Sequence, residues 1–318
     1  MDRSLCYDDI ALVPQYFDGT SRSNLDAGAW FGHFQFRLPV VPANMKCVID
    51  MNLANLLQRE NCFYVMHRFD NDPIEMMTQM KDERWRLSSI SLGVKQEDYA
   101  VLGKLAAKNL EPDFITVDIA HGHCAMMKNI LGLIKSTFKR TFVIAGNVAT
   151  HHAYADLVKW GADAIKVGVG PGKSCITKLK TGFYSPMFST VRNISLWREL
   201  HMSRTERVPI IADGGIQYNG DIAKAIVAGA TMVMAGSIFA QCTDSPAVSV
   251  NGEKVYYGSA SAENKGHKRN VEGKQVVLHN NGMTVLEKLN EIQQDLQSAM
   301  SYAGGDLTTS TPYITMQS

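Results

Sequence analysis

The sequence predicts one α/β domain, a (β/α)8 TIM barrel spanning residues 1–318, with long insertions after its sixth and eighth strands. Eight short apolar runs recur, and successive runs start 24, 26, 26, 28, 22, 45 and 23 residues apart. Most of these intervals suit one helix and two loops. The runs are continuously apolar, as expected of parallel strands buried on both faces. The number of runs favours a barrel. The alternative is a doubly wound open sheet, which more often has about five to seven strands.

The predicted elements alternate along the chain. The predicted strands are 38–45, 62–67, 88–94, 114–121, 142–148, 164–170, 209–215 and 232–238. The predicted helices between them are 50–59, 98–109, 125–138, 151–161 and 220–229. A capping box, Thr284 with Glu287, predicts a last helix at about 284–303, followed by a polar tail.

Both insertions are candidates for catalysis. Segment 167–177 after the sixth strand reads Val-Gly-Val-Gly-Pro-Gly-Lys-Ser-Cys-Ile-Thr, so a glycine-rich loop presents Cys175 and Thr177. Such a loop favours a reactive thiol, although a free cysteine is more often a small buried hydrophobe. The second insertion, about 240–282, is polar and rich in Gly, Asn and Lys, which suits a mobile lid.

Composition excludes several classes of function. The net charge of +1 gives no electrostatic footprint for nucleic acid. The N-terminus has no apolar signal region, and no apolar run reaches the ~18 residues of a membrane span. The six cysteines form no CxxC motif or metal-ligand spacing. We therefore expect reduced thiols and a cytoplasmic protein.

Polar residues and glycines cluster where the predicted strands end, which in a barrel is the functional face. Asp118, His121 and His123 follow the fourth strand, Asp213-Gly-Gly follows the seventh, and Gly236-Ser237 ends the eighth. Each has a simpler interpretation as a helix cap, an ordinary histidine or a turn. Together they indicate a binding site, and the glycines after strands seven and eight favour a phosphate. Asp213 could accept hydrogen bonds from a ribose, so a nucleoside monophosphate is the predicted ligand.

Several motifs carry a resemblance to a known family. They are 7–14 (Tyr-Asp-Asp-Ile-Ala-Leu-Val-Pro), 42–45 (Pro-Ala-Asn-Met), 161–168 (Gly-Ala-Asp-Ala-Ile-Lys-Val-Gly), the Cys175 loop, 211–216 (Ile-Ala-Asp-Gly-Gly-Ile), 232–237 (Met-Val-Met-Ala-Gly-Ser) and 256–258 (Tyr-Tyr-Gly). In this order they resemble the IMP dehydrogenase/GMP reductase family over nearly the whole chain.

Within that family the chain is most similar to the shorter bacterial reductases. Asn44 and Lys166 stand where dehydrogenases tend to carry Asp and Arg, and segment 265–273 lacks the Arg-Tyr pair that activates water in dehydrogenases. The resemblance implies NADPH-dependent reductive deamination of GMP to IMP and ammonia, through a covalent intermediate on Cys175. An IMP dehydrogenase without a regulatory domain, and a nucleotide-binding barrel without turnover, are the alternatives.

The resemblance also implies roles for individual residues and an assembly. Thr177 and Glu272 would relay a proton for Cys175. The implied GMP-binding residues are Met45, Asn147, Asp213, Gly214, Gly215, Gly236, Ser237, Tyr256, Ser259 and Ala260. The implied cofactor-binding residues are Arg68, Asp118, Ala120 and Lys166. Carbonyls of Gly170 and Gly172 would bind K⁺, and the protein would be a homotetramer. Lys173, Ser259 and segment 183–186 (Phe-Tyr-Ser-Pro) depart from the usual family pattern without removing a catalytic group.

Overall fold

The computed structural model describes residues 4–265, 269–308 and 314–316. Its strands are β1 Ile10–Leu12, β2 Ala29–Phe31, β3 Phe34–Phe36, β4 Val40–Pro42, β5 Ser89–Leu92, β6 Phe114–Asp118, β7 Phe142–Val148, β8 Ala164–Val167, β9 Ile210–Asp213, β10 Met232–Ala235, β11 Ser249–Val250, β12 Glu253–Tyr257, β13 Gln275–His279 and β14 Ile314–Met316.

The helices mostly fill the predicted intervals between strands. They are α1 Met51–Arg59, α2 Pro73–Asp82, α3 Gln96–Ala107, α4 Ala125–Thr137, α5 His151–Lys159, α6 Thr177–Thr181, α7 Met187–His201, α8 Asn219–Val227, α9 Ser237–Ala240, α10 Ala262–Lys265 and α11 Val285–Tyr302. Five of these helices, α2, α6, α7, α9 and α10, go beyond the predicted ones. The start of α2 has a clear sequence signal, because Asp72 accepts a hydrogen bond from the Ile74 N–H and proline follows at the first helical position.

The central sheet confirms the predicted α/β barrel fold. In the described residues it has seven parallel strands in the order β4-β10-β9-β8-β7-β6-β5, so the last barrel strand pairs with the first. The sixth predicted strand corresponds to β8, and the Cys175 loop follows it. Helices follow most strands and cover the outside of the sheet, as expected of a (β/α)8 barrel.

The second predicted strand, 62–67, is present only as an extended segment. Its residues are buried, and the Met66 N–H donates to the Ser89 carbonyl of β5 at 3.2 Å. The Met66 carbonyl, however, accepts the Ser91 hydroxyl at 2.6 Å. A side chain therefore uses the group that would pair in a regular ladder. This segment lies beside β5 without forming a strand of the sheet.

A cluster of phenylalanines closes the amino-terminal end of the barrel. Phe31 from the β2–β3 hairpin packs on Phe63, Phe114 and Phe142, with ring centroids 5.1, 5.9 and 5.1 Å apart. Such aromatic pairs add to the stability gained by burial. These rings fill the interior of the barrel at this end.

Two further units flank the barrel. In the second insertion, β11, β12 and β13 form an antiparallel sheet, which its polar composition does not predict. Within segment 265–273, which was compared with the dehydrogenases above, Gly266, His267 and Lys268 lie outside the described residues. Helix α11 begins at the predicted capping box, where Thr284 and Glu287 bond each other's backbone N–H. None of the helices in the described ranges is both long and apolar enough to span a bilayer.

Candidate active site

A pocket of about 380 Å³ opens at the carboxyl ends of the strands. This volume lies within the range of small-molecule sites. Of the residues predicted for the site, those that line it are Met45, Arg68, Asp118, Ala120, Asn147, Lys166, Gly170, Gly172, Cys175, Thr177, Asp213, Gly214, Gly236, Tyr256, Ser259, Ala260 and Glu272. Gly215 and Ser237 lie one residue behind that lining, and Ser237 is 9% exposed. A second cavity, of 590 Å³, lies at the opposite end of the barrel beside Pro39 and Thr231, and none of the predicted site residues lines it.

Cys175, Thr177 and Glu272 form a chain of hydrogen bonds in this pocket. The Thr177 hydroxyl donates to Glu272 Oε2 at 2.6 Å, and Cys175 Sγ lies 3.1 Å from Thr177 Oγ1. Because the single hydroxyl proton of Thr177 points to Glu272, the thiol is left as the donor to Thr177. The geometry can therefore pass a proton from Cys175 through Thr177 to Glu272.

Backbone pairing between the two insertions holds this chain together. Cys175 and Gly273 form an antiparallel bridge, and the Ile176 N–H donates to the Glu272 carbonyl at 2.8 Å. The Lys274 N–H donates to the Ser174 carbonyl, also at 2.8 Å. The segment carrying Glu272 thus lies along the Cys175 loop like a short second strand.

A buried cluster of charges forms one wall of the pocket. Lys166, on β8, is 1% exposed, and its Nζ lies 2.9 Å from Asp118 Oδ2 and 3.1 Å from Asp213 Oδ2. Burial would raise the pKa of Asp118, but the Lys166 charge and hydrogen bonds from Lys166 and Asn44 hold that pKa below its usual range. Burial likewise opposes a charged Lys166, yet the two carboxylates raise its pKa above the ordinary lysine value. Asp118 and Lys166 are therefore both charged at neutral pH.

Asn147 contacts the same cluster from β7. Its Nδ2 donates to Asp213 Oδ2 and to the Gly168 carbonyl, each at 2.8 Å. Its Oδ1 is buried and has no hydrogen-bond partner among the described residues. An unpaired buried acceptor is costly, so this atom suits a ligand that donates a hydrogen bond.

The end of the pocket near β10 is shaped by Gly236 and Tyr256. Tyr256 is 4% exposed, its hydroxyl lies 3.6 Å from the Met45 sulfur, and burial raises the pKa of its phenol far above the usual range. A Cβ at Gly236 would lie 2.3 Å from the Tyr256 hydroxyl. Only glycine therefore fits there. Gly214, opposite, has φ of +89°, a conformation that also favours glycine.

The pocket lining includes one positively charged side chain, Arg68, that is not part of the Lys166 cluster. The Arg68 guanidinium stacks 4.8 Å from the Phe69 ring and makes no ion pair with any described residue. Burial raises the pKa of Asp118, and the Arg68 charge helps to lower it, with a smaller effect than Lys166 or Asn44. An anionic or polar ligand entering here would meet a fixed positive charge.

His121 and His123 do not line the pocket. His123 Nε2 lies 2.8 Å from Asp156 Oδ2, and its ring stacks on Trp160 with centroids 5.7 Å apart. In the ranges that the structure describes, no group of three His, Cys, Asp or Glu side chains is arranged to hold a metal ion.

Asn44 is the main site residue that the sequence analysis does not assign. It is 5% exposed, lines the pocket and donates from Nδ2 to Asp118 Oδ2 at 2.8 Å. Its position at the end of the first predicted strand was a signal, because polar residues at strand ends converge on one face. Ser174 also lines the pocket, next to Cys175.

Comparison with known proteins agrees with this geometry. A model of the IMP dehydrogenase / GMP reductase domain matches residues 4–311. A GMP reductase of Albidiferax ferrireducens is 50% identical over 305 residues, covering 94% of this chain and 91% of that protein. A GMP reductase of Mesoplasma florum is 48% identical over 304 residues, covering 94% and 92%. A GMP reductase of Streptococcus pyogenes is 48% identical over 305 residues, covering 94% and 90%. The chain therefore belongs to the IMP dehydrogenase/GMP reductase family.

Proposed function

We propose that the protein is an NADPH-dependent GMP reductase that converts GMP to IMP and ammonia. The observation that carries this proposal is the hydrogen-bonded chain from Cys175 through Thr177 to Glu272 in a pocket at the strand ends. A thiol, a relay hydroxyl and a carboxylate are the groups needed to displace an amine from a purine ring.

The reaction begins when the Cys175 proton moves to Thr177 as the Thr177 proton moves to Glu272. The thiolate attacks C2 of the guanine ring, and Glu272, now protonated, returns a proton through Thr177 to the 2-amino group. Ammonia leaves, because a protonated amine is a far better leaving group than an amide anion. A thioimidate between C2 and Cys175 Sγ remains. Bound NADPH supplies the hydride that replaces sulfur at C2. The overall balance is GMP, NADPH and two protons giving IMP, NADP⁺ and ammonium.

The GMP site extends from Cys175 towards β9 and β10. Asp213 would accept hydrogen bonds from the ribose. Gly214, Gly215, Gly236, Ser237 and Tyr256 would hold the phosphate. Met45 and Asn147 would contact the base, with the unpaired Asn147 Oδ1 as an acceptor, and the backbone of Ser259 and Ala260 would read its edge. The glycines support this assignment, since they let backbone groups approach a ligand closely.

The cofactor would occupy the side of the pocket nearer β6, where Arg68, Asp118 and Ala120 lie, with Lys166 beneath. The donor set fits a dinucleotide, because it offers a carboxylate for ribose hydroxyls and a cation without an ion-pair partner in the described residues.

A monovalent cation, K⁺, is the second proposed cofactor, held by the carbonyls of Gly170 and Gly172. Gly170 has φ of +80°, and the Gly172 carbonyl accepts only the Cys175 N–H, at 2.9 Å, among the backbone bonds. A carbonyl has two lone pairs, so one remains for an ion. Turnover in potassium buffer compared with tetramethylammonium buffer tests this site.

A homotetramer in the cytoplasm completes the proposal. All six cysteines are free, which suits a reducing compartment. Sedimentation equilibrium measures the oligomeric state directly, and a monomer at assay concentration would contradict the tetramer.

The deciding experiment follows NADPH oxidation and ammonia release when GMP is added to the purified protein. We expect equal amounts of NADP⁺, IMP and ammonia. Cys175→Ala should abolish turnover and still bind GMP, while Cys124→Ala, a matched control at a partly exposed thiol outside the pocket, should retain turnover. Formation of XMP from IMP and NAD⁺ would instead identify a dehydrogenase. GMP binding without ammonia release would identify a barrel without turnover.

A further inference from the structure

The buried ammonium group of Lys166 is surrounded by oxygen atoms of the protein itself. Its ammonium group is 1% exposed, and it lies within 3.1 Å of two carboxylates. A third oxygen, Asn44 Oδ1, lies 3.5 Å away. An ammonium group has three donors, and these three oxygens account for all of them. Little capacity is left for a nucleotide.

The two carboxylates belong to different halves of the pocket. Asp118 ends β6 and Asp213 ends β9, and Lys166 lies on β8 between them in the sheet order β9-β8-β7-β6. Each aspartate directs Oδ2 to Lys166. Within the described residues the Oδ1 atom of each carboxylate accepts no hydrogen bond, and both side chains line the pocket. Each carboxylate thus uses Oδ2 for Lys166, and its Oδ1 remains for a ligand.

We propose that Lys166 is a positioning residue that joins the two nucleotide subsites by holding Asp118 and Asp213 at once. This inference rests on the proposed function, which assigns Asp213 to the substrate ribose and Asp118 to the cofactor. A bridge of this kind fixes the distance between the two ribose-binding carboxylates. It also places one positive charge between the two carboxylates, which offsets their mutual repulsion.

Separate amides hold each carboxylate on its own side. Asn44 Nδ2 bonds Asp118 Oδ2, and Asn147 Nδ2 bonds Asp213 Oδ2, each at 2.8 Å. Asn44 makes no hydrogen bond to Asp213 among the described residues, and its only link to that side is the long 3.5 Å contact with Lys166 Nζ. A change at Asn44 therefore disturbs mainly the Asp118 subsite, whereas a change at Lys166 disturbs both. This difference separates a bridge from an ordinary cofactor ligand.

The test measures binding of GMP alone and of NADPH alone by titration calorimetry. We expect Lys166→Met to weaken both nucleotides about tenfold, since coupled contacts in one network are typically worth that much. Asn44→Ala, the matched control, should weaken NADPH and leave GMP binding within about twofold. Lys166→Arg keeps a cation that can reach both carboxylates, so it should restore both affinities in large part.

Weakening of NADPH binding alone by Lys166→Met would overturn the inference, because Lys166 would then be a cofactor ligand. Unchanged binding of both nucleotides would overturn it too. Circular dichroism checks that the variant folds. If Lys166→Met does not fold, Lys166→Gln, which keeps N–H donors, is judged by the same two affinities. Failure of the proposed function looks different, because the unmodified protein would then not bind GMP or would bind it without turnover.

Discussion

Replacing Thr177 with valine is the sharpest test of the proton relay. Valine has nearly the volume of threonine and exchanges only the hydroxyl for a methyl group. The change removes the 2.6 Å bond to Glu272 and the 3.1 Å contact with Cys175 Sγ together. It leaves the thiol, the carboxylate and the proposed nucleotide-binding residues in place.

The expected loss of rate follows from what the hydroxyl does. At 2.6 Å the Thr177–Glu272 bond has the length of a charge-assisted hydrogen bond, which is stronger than a neutral one. Positioned acid–base groups contribute about 10²–10⁴-fold to a rate. We therefore expect kcat to fall at least about 100-fold, or about 3 kcal/mol in the barrier. The KM for GMP should stay within about threefold, because the hydroxyl is not part of the proposed nucleotide-binding set.

The assay is steady-state oxidation of NADPH with GMP, supported by single-turnover release of ammonia. Thr181→Val is the matched control. Thr181 is an exposed threonine at the other end of α6, and its hydroxyl bonds the Thr177 carbonyl at 2.8 Å. The control makes the same chemical change on the same helix and removes only a bond to the Thr177 backbone carbonyl, not one to its hydroxyl, so its kcat should be close to that of the unmodified protein.

Two results would refute the relay. If Thr177→Val retained more than about half of the original kcat, the hydroxyl would carry no proton in the slow step. If Thr181→Val lost as much activity as Thr177→Val, the effect would come from disturbing α6. A rise in the KM for GMP with little change in kcat would mean that Thr177 binds the substrate.

Three further predictions concern binding and stability. Gly236→Ala should raise the KM for GMP about tenfold or more, because its Cβ would come within 2.3 Å of the buried Tyr256 hydroxyl. Gly132→Ala, on α4 with open space around its Cβ, should leave the KM unchanged and raise the free energy of unfolding by up to about 1 kcal/mol in urea titrations. Burial, followed by the Lys46 charge, lowers the pKa of His67 from 6.5 to about 4. Between pH 6.5 and 4 the unfolded chain binds a proton at His67 that the folded protein does not bind. The contribution of His67 to the free energy of unfolding should therefore be fully present above pH 6.5 and fall as the pH drops towards 4. The loss due to this group should approach about 3 kcal/mol. His67→Asn should show a smaller loss between urea titrations at neutral and acid pH; an equal loss would contradict this origin.

The sequence predicted the barrel because burial of parallel strands leaves a simple pattern. Runs such as 164–170 and 232–238 are apolar throughout, and β8 and β10 lie within them. The segment 62–67 has the same pattern and is buried, yet it is not a strand of the sheet. Its Met66 carbonyl is taken by the Ser91 hydroxyl. An apolar run indicates that a segment is buried. Whether it pairs as a strand also depends on which group hydrogen-bonds each backbone carbonyl, and the run 62–67 does not contain the serine that bonds Met66.

The candidate site was predictable in part. The sequence alone indicated a thiol on a glycine-rich loop and polar groups at strand ends. Particular roles for Thr177 and Glu272 came from the resemblance, because 95 residues separate the two side chains that share a hydrogen bond. The resemblance implied only a cofactor-binding role for Lys166, and neither source indicated the proposed bridge between Asp118 and Asp213. It depends on two aspartates from strands on either side of β8 pointing to one buried nitrogen, which only the folded sheet reveals.

The relay depends on backbone register as much as on side-chain chemistry. Cys175 pairs with Gly273 in an antiparallel bridge, so Glu272 is aligned with Ile176, and its carboxylate reaches Thr177. A slip of one residue would turn Glu272 to the opposite face of the pairing and break the relay. Gly273 permits this register, since a Cβ there would lie 2.9 Å from the Ser261 N–H nitrogen. Gly273, next to Glu272, therefore helps the second insertion to bring the carboxylate to the cysteine loop, and the proposed relay depends on both insertions.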